Sequence, residues 1–205
     1  MILNAEFVSP RRSPRNGFSL VELVLSLAVL LIITTLAVPV VVRSLQSYQL
    51  NATASQLAGM LKYAKFDAIR QNTQVTLMIR PSSGNWNVWV DSNGDGIRDG
   101  AEPEMIISGS QTLLVASAAP SPSHILASLG PGGSSLPWMV LSGSSADITF
   151  DQRGVLVYPG AATVYALYLG NPNDPSSGYR AILTLPSGAV QVWAAASNGN
   201  WHRVS

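Results

Sequence analysis

Between Glu22 and Arg43 the chain runs for 20 residues, 23–42, without a single charge. At a rise of about 1.5 Å per residue, a helix of that length spans roughly 30 Å, one hydrocarbon core. In lipid every backbone polar group must be bonded within the segment, so this stretch has to be helical. Its only interruptions are Ser26, Thr34, Thr35 and Pro39. Arg11, Arg12 and Arg15 precede it, and a basic flank marks the cytoplasmic side. Residues 1–17 are therefore expected in the cytoplasm and everything after Arg43 across the membrane. The core of a secretory signal peptide is shorter, about 7–15 residues, and holds no acid.

The acid that opens this run is the second constraint. An ordinary anchor would carry Leu or Val where Glu22 stands. On insertion scales a charged side chain at mid-membrane costs about 2.5–3.5 kcal/mol, and such a residue is read as functional with a partner to be named. A buried carboxylate needs a cationic or hydrogen-bonding partner.

The heptapeptide Gly17-Phe18-Ser19-Leu20-Val21-Glu22-Leu23 resembles the cleavage and methylation signature of type IV prepilins and type II secretion pseudopilins. The resemblance implies that a membrane-embedded prepilin peptidase cuts between Gly17 and Phe18 and methylates the new amino terminus at Phe18. It also implies that Glu22, the fifth residue after the cut, meets the free terminal amine of a neighbouring subunit during assembly. Many pilins carry a helix-kinking proline where Pro39 stands, and proline removes one backbone donor. The implied partners are other pilins or pseudopilins through the first helix, the prepilin peptidase, and the bacterial inner membrane. The implied localisation is a single pass through that membrane with the C-terminal domain in the periplasm, later carried into a pseudopilus or pilus.

The resulting division is a leader at 1–17, a membrane helix at 18–42, a soluble continuation of that helix at 43–71, and a β-rich globular domain at 72–205. The mature chain carries nine basic and ten acidic residues, because Arg11, Arg12 and Arg15 leave with the leader. The slight basicity of the whole chain is therefore topogenic, and nucleic acid is not an expected partner. The chain has no cysteine, so the exported domain relies on its core, with no disulfide.

From Val40 to about Gln71 the pattern remains helical. Leu50, Ala54, Leu57, Leu61, Ala64 and Ala68 recur at spacings of 4, 3, 4, 3 and 4, one apolar stripe. Arg43, Lys62, Lys65, Asp67 and Arg70 fall off it. The stripe predicts a helix packed on a sheet. After Gln71 the period switches to two, and Val75–Arg80, Trp86–Val90, Met105–Ile107, Ile148–Phe150, Val155–Tyr158, Val164–Leu169, Ala181–Leu185 and Val190–Trp193 read as strands. Trp86, Trp89, Trp138, Tyr165, Tyr168 and Trp193 read as core or sheet-face aromatics. Residues 117–137, rich in Ser, Pro, Gly and Ala, read as a mobile surface excursion. Helix first and antiparallel strands after it give an α+β fold. That order resembles the H-type minor pseudopilins of type II secretion and the FimT-like minor pilins. Asp151-Gln152-Arg153-Gly154 and Gly178-Tyr179-Arg180 look like late strands of that family.

Asp91-Ser92-Asn93-Gly94-Asp95-Gly96-Ile97-Arg98-Asp99-Gly100-Ala101-Glu102 is a further motif. It matches the EF-hand ligand spacing, with Asp91, Asn93, Asp95, the Ile97 carbonyl, Asp99 and Glu102 as oxygen donors and Gly96 at the bend. The flanks read as strands, where an EF-hand has helices, and Asn-Gly and Asp-Gly are turn dipeptides in their own right. Two readings follow: a calcium site, or a metal-free hairpin connection.

Enzyme chemistry is not expected. His124 and His202 are the only histidines, and there is no cysteine nucleophile, G-x-S-x-G elbow or phosphate-binding glycine loop. The leading expectation is a minor pseudopilin of a type II secretion system, and the alternative is a minor type IV pilin acting in pilus assembly or DNA uptake. A DNA-receptor member would carry arginines in a Gly-Arg-x-Arg-like segment; the matching stretch here has Ala189 and Gln191 there, leaving His202 and Arg203 nearby. A third reading is a calcium-dependent adhesion module on a plain anchor, in which Glu22 would be dispensable.

Overall fold

The computed structural model describes residues 17–109, 111–114, 116–129, 138–140, 145–158, 164–197 and 199–205, with side chains unassigned for 116 and 138–140. The leader arginines and the Trp138 side chain lie outside the described residues. The chain divides into two compact units, Met1–Val41 and Val42–Ser205.

One helix, α1, runs from Leu20 to Gln71 and includes Pro39. Glu22 in its first turn and Arg70 in its last complement the helix dipole. Asn72 ends it with φ at 53°. There the Asn72 N–H bonds to the Ile69 carbonyl at 3.3 Å and the Thr73 N–H to the Ala68 carbonyl at 3.2 Å. These are the paired bonds of a Schellman cap, with Asn as the left-handed residue. In the first unit the helix side chains are exposed, and this is the one described helix long and apolar enough to cross a membrane.

In the second unit the predicted stripe is the core. Leu50, Ala54, Leu57, Leu61, Ala64 and Ala68 are all buried. They pack against two sheets, the first antiparallel throughout and the second antiparallel but for one parallel pair. The first sheet has the order β3-β2-β1-β6-β7, built from Val75–Ser82 (β1), Asn85–Asp91 (β2), Glu104–Ile107 (β3), Ala146–Phe150 (β6) and Leu156–Val157 (β7). Alternation decides its buried face: Val75, Leu77 and Ile79 of β1 point into the core with Val88, Val90, Ile148 and Phe150. Ser83 and Gly84, both at positive φ, close the β1–β2 hairpin in two residues, as a type I′ turn requires. Strand β1 thus extends through Pro81 and Ser82, two residues past the Arg80 end read from the sequence.

The second sheet has the order β11-β10-β9-β8-β4, with β5 pairing β8 in parallel. Its strands are Thr112–Leu114 (β4), Trp138–Val140 (β5), Val164–Gly170 (β8), Tyr179–Thr184 (β9), Val190–Ala195 (β10) and Trp201–Arg203 (β11). Every residue of β8 is buried. Tyr165, Leu167 and Leu169 face the α1 core, whereas Val164, Ala166 and Tyr168 belong to a second cluster with Leu183, Trp193 and Trp201. Ile125 of a short helix, Ser123–Ser128 (α2), enters that second cluster fully buried. Within the surface excursion predicted for 117–137, residues 123–128 thus form a helix docked on the sheet through Ile125, with Ala119 and Leu129 packed beside it. Residues 130–137 of the excursion lie outside the described residues.

Four contacts tie the layers together. The Trp86 indole N–H donates to Thr112 Oγ1 at 2.8 Å, joining β2 to β4. The Leu156 N–H donates to the Pro186 carbonyl at 3.1 Å. Lys65 Nζ reaches the Ser187 carbonyl at 3.2 Å. Thr53 of α1 donates to Gln111 Oε1 at 2.6 Å.

Candidate functional site

Gly17, Phe18 and Ser19 precede the helix, and all three are exposed. The first turn closes when the Leu23 N–H bonds to the Ser19 carbonyl at 3.1 Å. The Gly17–Phe18 peptide therefore lies outside the helical ladder, in the accessible form a peptidase requires. Glu22 stands in the first helical turn, exposed, and among the described residues no side chain meets its carboxylate. A helix N-terminus favours a negative charge, but in a low-dielectric surrounding only a cation or a strong donor offsets its desolvation.

The acidic loop is built differently from a cation cage. Asp91 is only 3% exposed. Its Oδ1 accepts the Gly94 N–H at 2.7 Å and its Oδ2 the Gly96 N–H at 3.0 Å. Glu102 closes the other end: Oε1 accepts from the Ser92 N–H at 2.9 Å and Oε2 from the Asp99 N–H at 3.1 Å. Between them Asn93 Nδ2 donates to Asp95 Oδ2 and Asp99 Oδ2, both at 3.0 Å. The Asn93 oxygen turns away and takes the Asp95 N–H at 3.0 Å. An amide donor thus sits between the two acids where a cation would have to sit. Ile97 is exposed, and its N–H goes to Asp95 Oδ1 at 2.8 Å. Arg98 pairs with Glu104 of β3 at 2.9 Å. Asn93, Asp95 and Asp99 meet in the loop, and no group of three or more His, Asp or Glu side chains among the described residues is placed to hold a metal.

Two polar residues of this unit were not singled out by sequence reasoning. Asp67, expected off the apolar stripe, is buried at 3% exposure. Its Oδ1 accepts from Arg70 Nε at 3.0 Å and Nη2 at 2.5 Å, and its Oδ2 from Gln71 Nε2 and Ser92 Oγ, each at 2.8 Å. Burial alone would raise its pKa, but the hydrogen bonds from Arg70 and Ser92, the Arg70 charge and the Gln71 bond outweigh it and hold the carboxyl below the ordinary aspartate value. Asp67 therefore anchors the start of the acidic loop to α1. The i,i+3 spacing to Arg70 was a usable signal, but the Ser92 partner was not.

Arg180, at the start of β9, is 6% exposed. Its Nε donates to Asn51 Oδ1 at 2.6 Å, Nη2 to Ser47 Oγ at 3.2 Å and Nη1 to the Tyr179 carbonyl at 2.8 Å. Burial lowers its pKa. Guanidinium is the cation most readily held this way, because its planar fork places several donors at fixed angles. Ser47 and Asn51 are one turn apart on α1, so Arg180 clamps the second sheet to the helix. His124 and His202 are both exposed and lie on separate elements.

Comparison with known proteins adds two family matches. Residues 53–188 match the model of the type II transport protein GspH, and residues 12–38 match the prokaryotic N-terminal methylation motif. No curated protein matches the chain. Among solved structures, the type IV minor pilin FimU of Pseudomonas aeruginosa (strain PAO1) is similar in two crystal forms. One is 17% identical over 77% of this chain and 94% of that one, with a TM-score of 0.47. The other is 18% identical over 76% and 98%, with a TM-score of 0.45.

Proposed function

Because the chain belongs to the GspH family of type II transport proteins, and is thus a membrane-anchored, prepilin-like minor pseudopilin or pilin, we propose that it serves a type II secretion system. In this reading prepilin peptidase cuts at Gly17–Phe18, the Phe18 amine is methylated, and the mature subunit joins a pseudopilus with its β-rich domain in the periplasm. The observation that carries it is the unpaired Glu22 at the head of an exposed apolar helix. The subunit works by packing and has no catalytic role of its own. Deleting the gene should empty the culture supernatant of secreted hydrolytic enzymes, with surface pili intact. Loss of pili or of DNA uptake with normal secretion would instead assign the subunit to a type IV pilus.

We infer that loop 91–102 stands as a metal-free turn, since its carboxylates already hold its backbone N–H groups. A calcium ion would have to displace the Asn93 amide from Asp95 and Asp99. A site filled at a hundred times its Kd adds about 2.7 kcal/mol, which is roughly 5–10 °C of melting temperature for a domain of this size. Millimolar calcium is expected to move the melting of residues 42–205 by less than about 1 °C. A shift of several degrees that Asp95→Ala abolishes would restore the calcium site.

A further inference from the structure

A cleft of about 510 Å³ opens between residues 117–124 and the turn that joins β10 to β11, with Tyr179 of β9 also lining it. Its volume falls in the range of small-molecule sites. Both walls are fixed. Ile125 seats α2 in the second core cluster, and the Trp201 indole N–H donates to the Ser121 carbonyl at 3.1 Å. A Cβ on Gly199 would lie 3.1 Å from Pro120 Cβ, so the turn packs directly on the loop. The Tyr179 ring is seated as well. Gly170 stands across from it in the β8–β9 pair, and a Cβ there would lie 2.9 Å from Tyr179 Cδ1. A cleft already formed binds without the cost of ordering its walls.

The lining selects the ligand. Ser117, Ser121, Ser123, Ser197, His124 and Asn200 contribute hydroxyl, imidazole and amide groups, and among the described residues no Asp, Glu, Lys or Arg lines the cleft. An ionic ligand would give up its hydration there with no fixed opposite charge to offset the loss. An apolar ligand would leave the covered hydroxyls unsatisfied. An extended peptide is taken by a free strand edge, whereas β9, which supplies Tyr179, is paired on both sides. A hydroxyl is donor and acceptor at once, so the serines answer the hydroxyls of a sugar in either sense. The half-buried Tyr179 adds an aromatic ring, an apolar surface with a polar tip, for the C–H face of a sugar ring. We propose that this cleft binds a neutral carbohydrate, with one sugar ring on Tyr179 and its hydroxyls on the serines, His124 and Asn200. The site goes beyond the assembly role proposed above and does not depend on it: it concerns what the β-rich domain holds, whichever filament the subunit joins.

The chain has two histidines, His124 in the cleft and His202 outside its lining, so an isotope label on histidine reads the site directly by NMR. The full-length chain in lipid nanodiscs, free of sugar-based detergent, is titrated to millimolar levels with cellotetraose and, separately, with tetra-N-acetylchitotetraose. At least one of the two should move the His124 ring signal and leave that of His202 in place. A response to the acetylated sugar alone narrows the class to amino-sugar glycans, and a response to both supports a site for neutral glycans at large. Ser197→Trp, which fills the cleft from an exposed position, should weaken the apparent affinity at least tenfold. A His124 signal unmoved by both sugars, or one that moves no more than that of His202, would overturn the proposal. So would an equal response to tetraglycine, which would make the cleft a peptide site, or to inorganic phosphate, which would make it an anion site. An unchanged affinity in a Ser197→Trp chain that melts like the parent would overturn it too; if that chain does not fold, the His124 response of the parent decides.

Discussion

Gly188→Ala is expected to unfold residues 42–205 at ordinary growth temperature. Gly188 sits in the turn between β9 and β10 at a φ of 71°, where any other residue is strained by about 1–3 kcal/mol. Strain is the smaller part. A Cβ on Gly188 would lie 2.0 Å from the Gly154 carbonyl oxygen and 3.2 Å from the Lys65 side chain. The first neighbour is backbone and cannot swing aside, because the Gly154 N–H is itself held by the Asp151 carbonyl at 2.8 Å. Separating the two turns would break the Leu156–Pro186 and Lys65–Ser187 links that join the sheets and the helix. The combined loss should exceed about 4 kcal/mol, a size reserved for such steric and network failures, against a total stability of about 5–15 kcal/mol. Gly84→Ala is the control: its φ is 82°, but nothing lies within 4 Å of the new Cβ, so only about 1 kcal/mol is at stake. Thermal unfolding followed by circular dichroism separates them. A Gly188→Ala protein melting within a few degrees of Gly84→Ala would show that the two turns do not need their close approach.

Glu22→Ala should remove the subunit from its filament while leaving it in the membrane. The substitution replaces the one acid of the run by an apolar residue, so insertion becomes easier. Assembly loses a buried ion pair and leaves the neighbour's terminal amine without a partner, which costs about 3–5 kcal/mol. At 1.4 kcal/mol per factor of ten, incorporation falls by about a hundred-fold or more. Membrane-fraction immunoblots should show undiminished protein, and sheared or affinity-isolated filaments should lack it. Incorporation within about threefold of the parent would make Glu22 dispensable and favour a plain anchored module.

The long helix was legible because its two signals are long: 20 uncharged residues, and a stripe repeated over five spacings. Strands β1–β3 and β6–β10 were all read from runs rich in β-branched and aromatic residues. Strands β4, β5 and β11 have three residues each and were not read, and their pairing is set by β8 and β10. Helix α2 is hidden because it is only six residues long, too short to establish a helical period. The division into two sheets was not visible, since nothing local says that β4 will skip β3 and pair with β8. At the candidate sites, Gly17, Phe18 and Glu22 were read from a local motif. The acidic loop shows where spacing stops: Asp91, Asp95, Asp99 and Glu102 fall at ligand positions, but the hydrogen bonds from Asn93 to Asp95 and Asp99 could not be read from spacing. The burial of Asp67 was not legible because a helical wheel shows only the helix, and one of its partners, Ser92, lies just past β2.

The α1 core is closed by Tyr165, Leu167, Leu169, Ile182 and Val192, more than a hundred residues downstream of Leu50. During synthesis and export the apolar stripe of the helix emerges first and the last of its cover at the end. Contacts this distant make folding slow. Strands β1 and β2 follow the stripe directly and cover part of it, and the final strands act as the latch that completes the core.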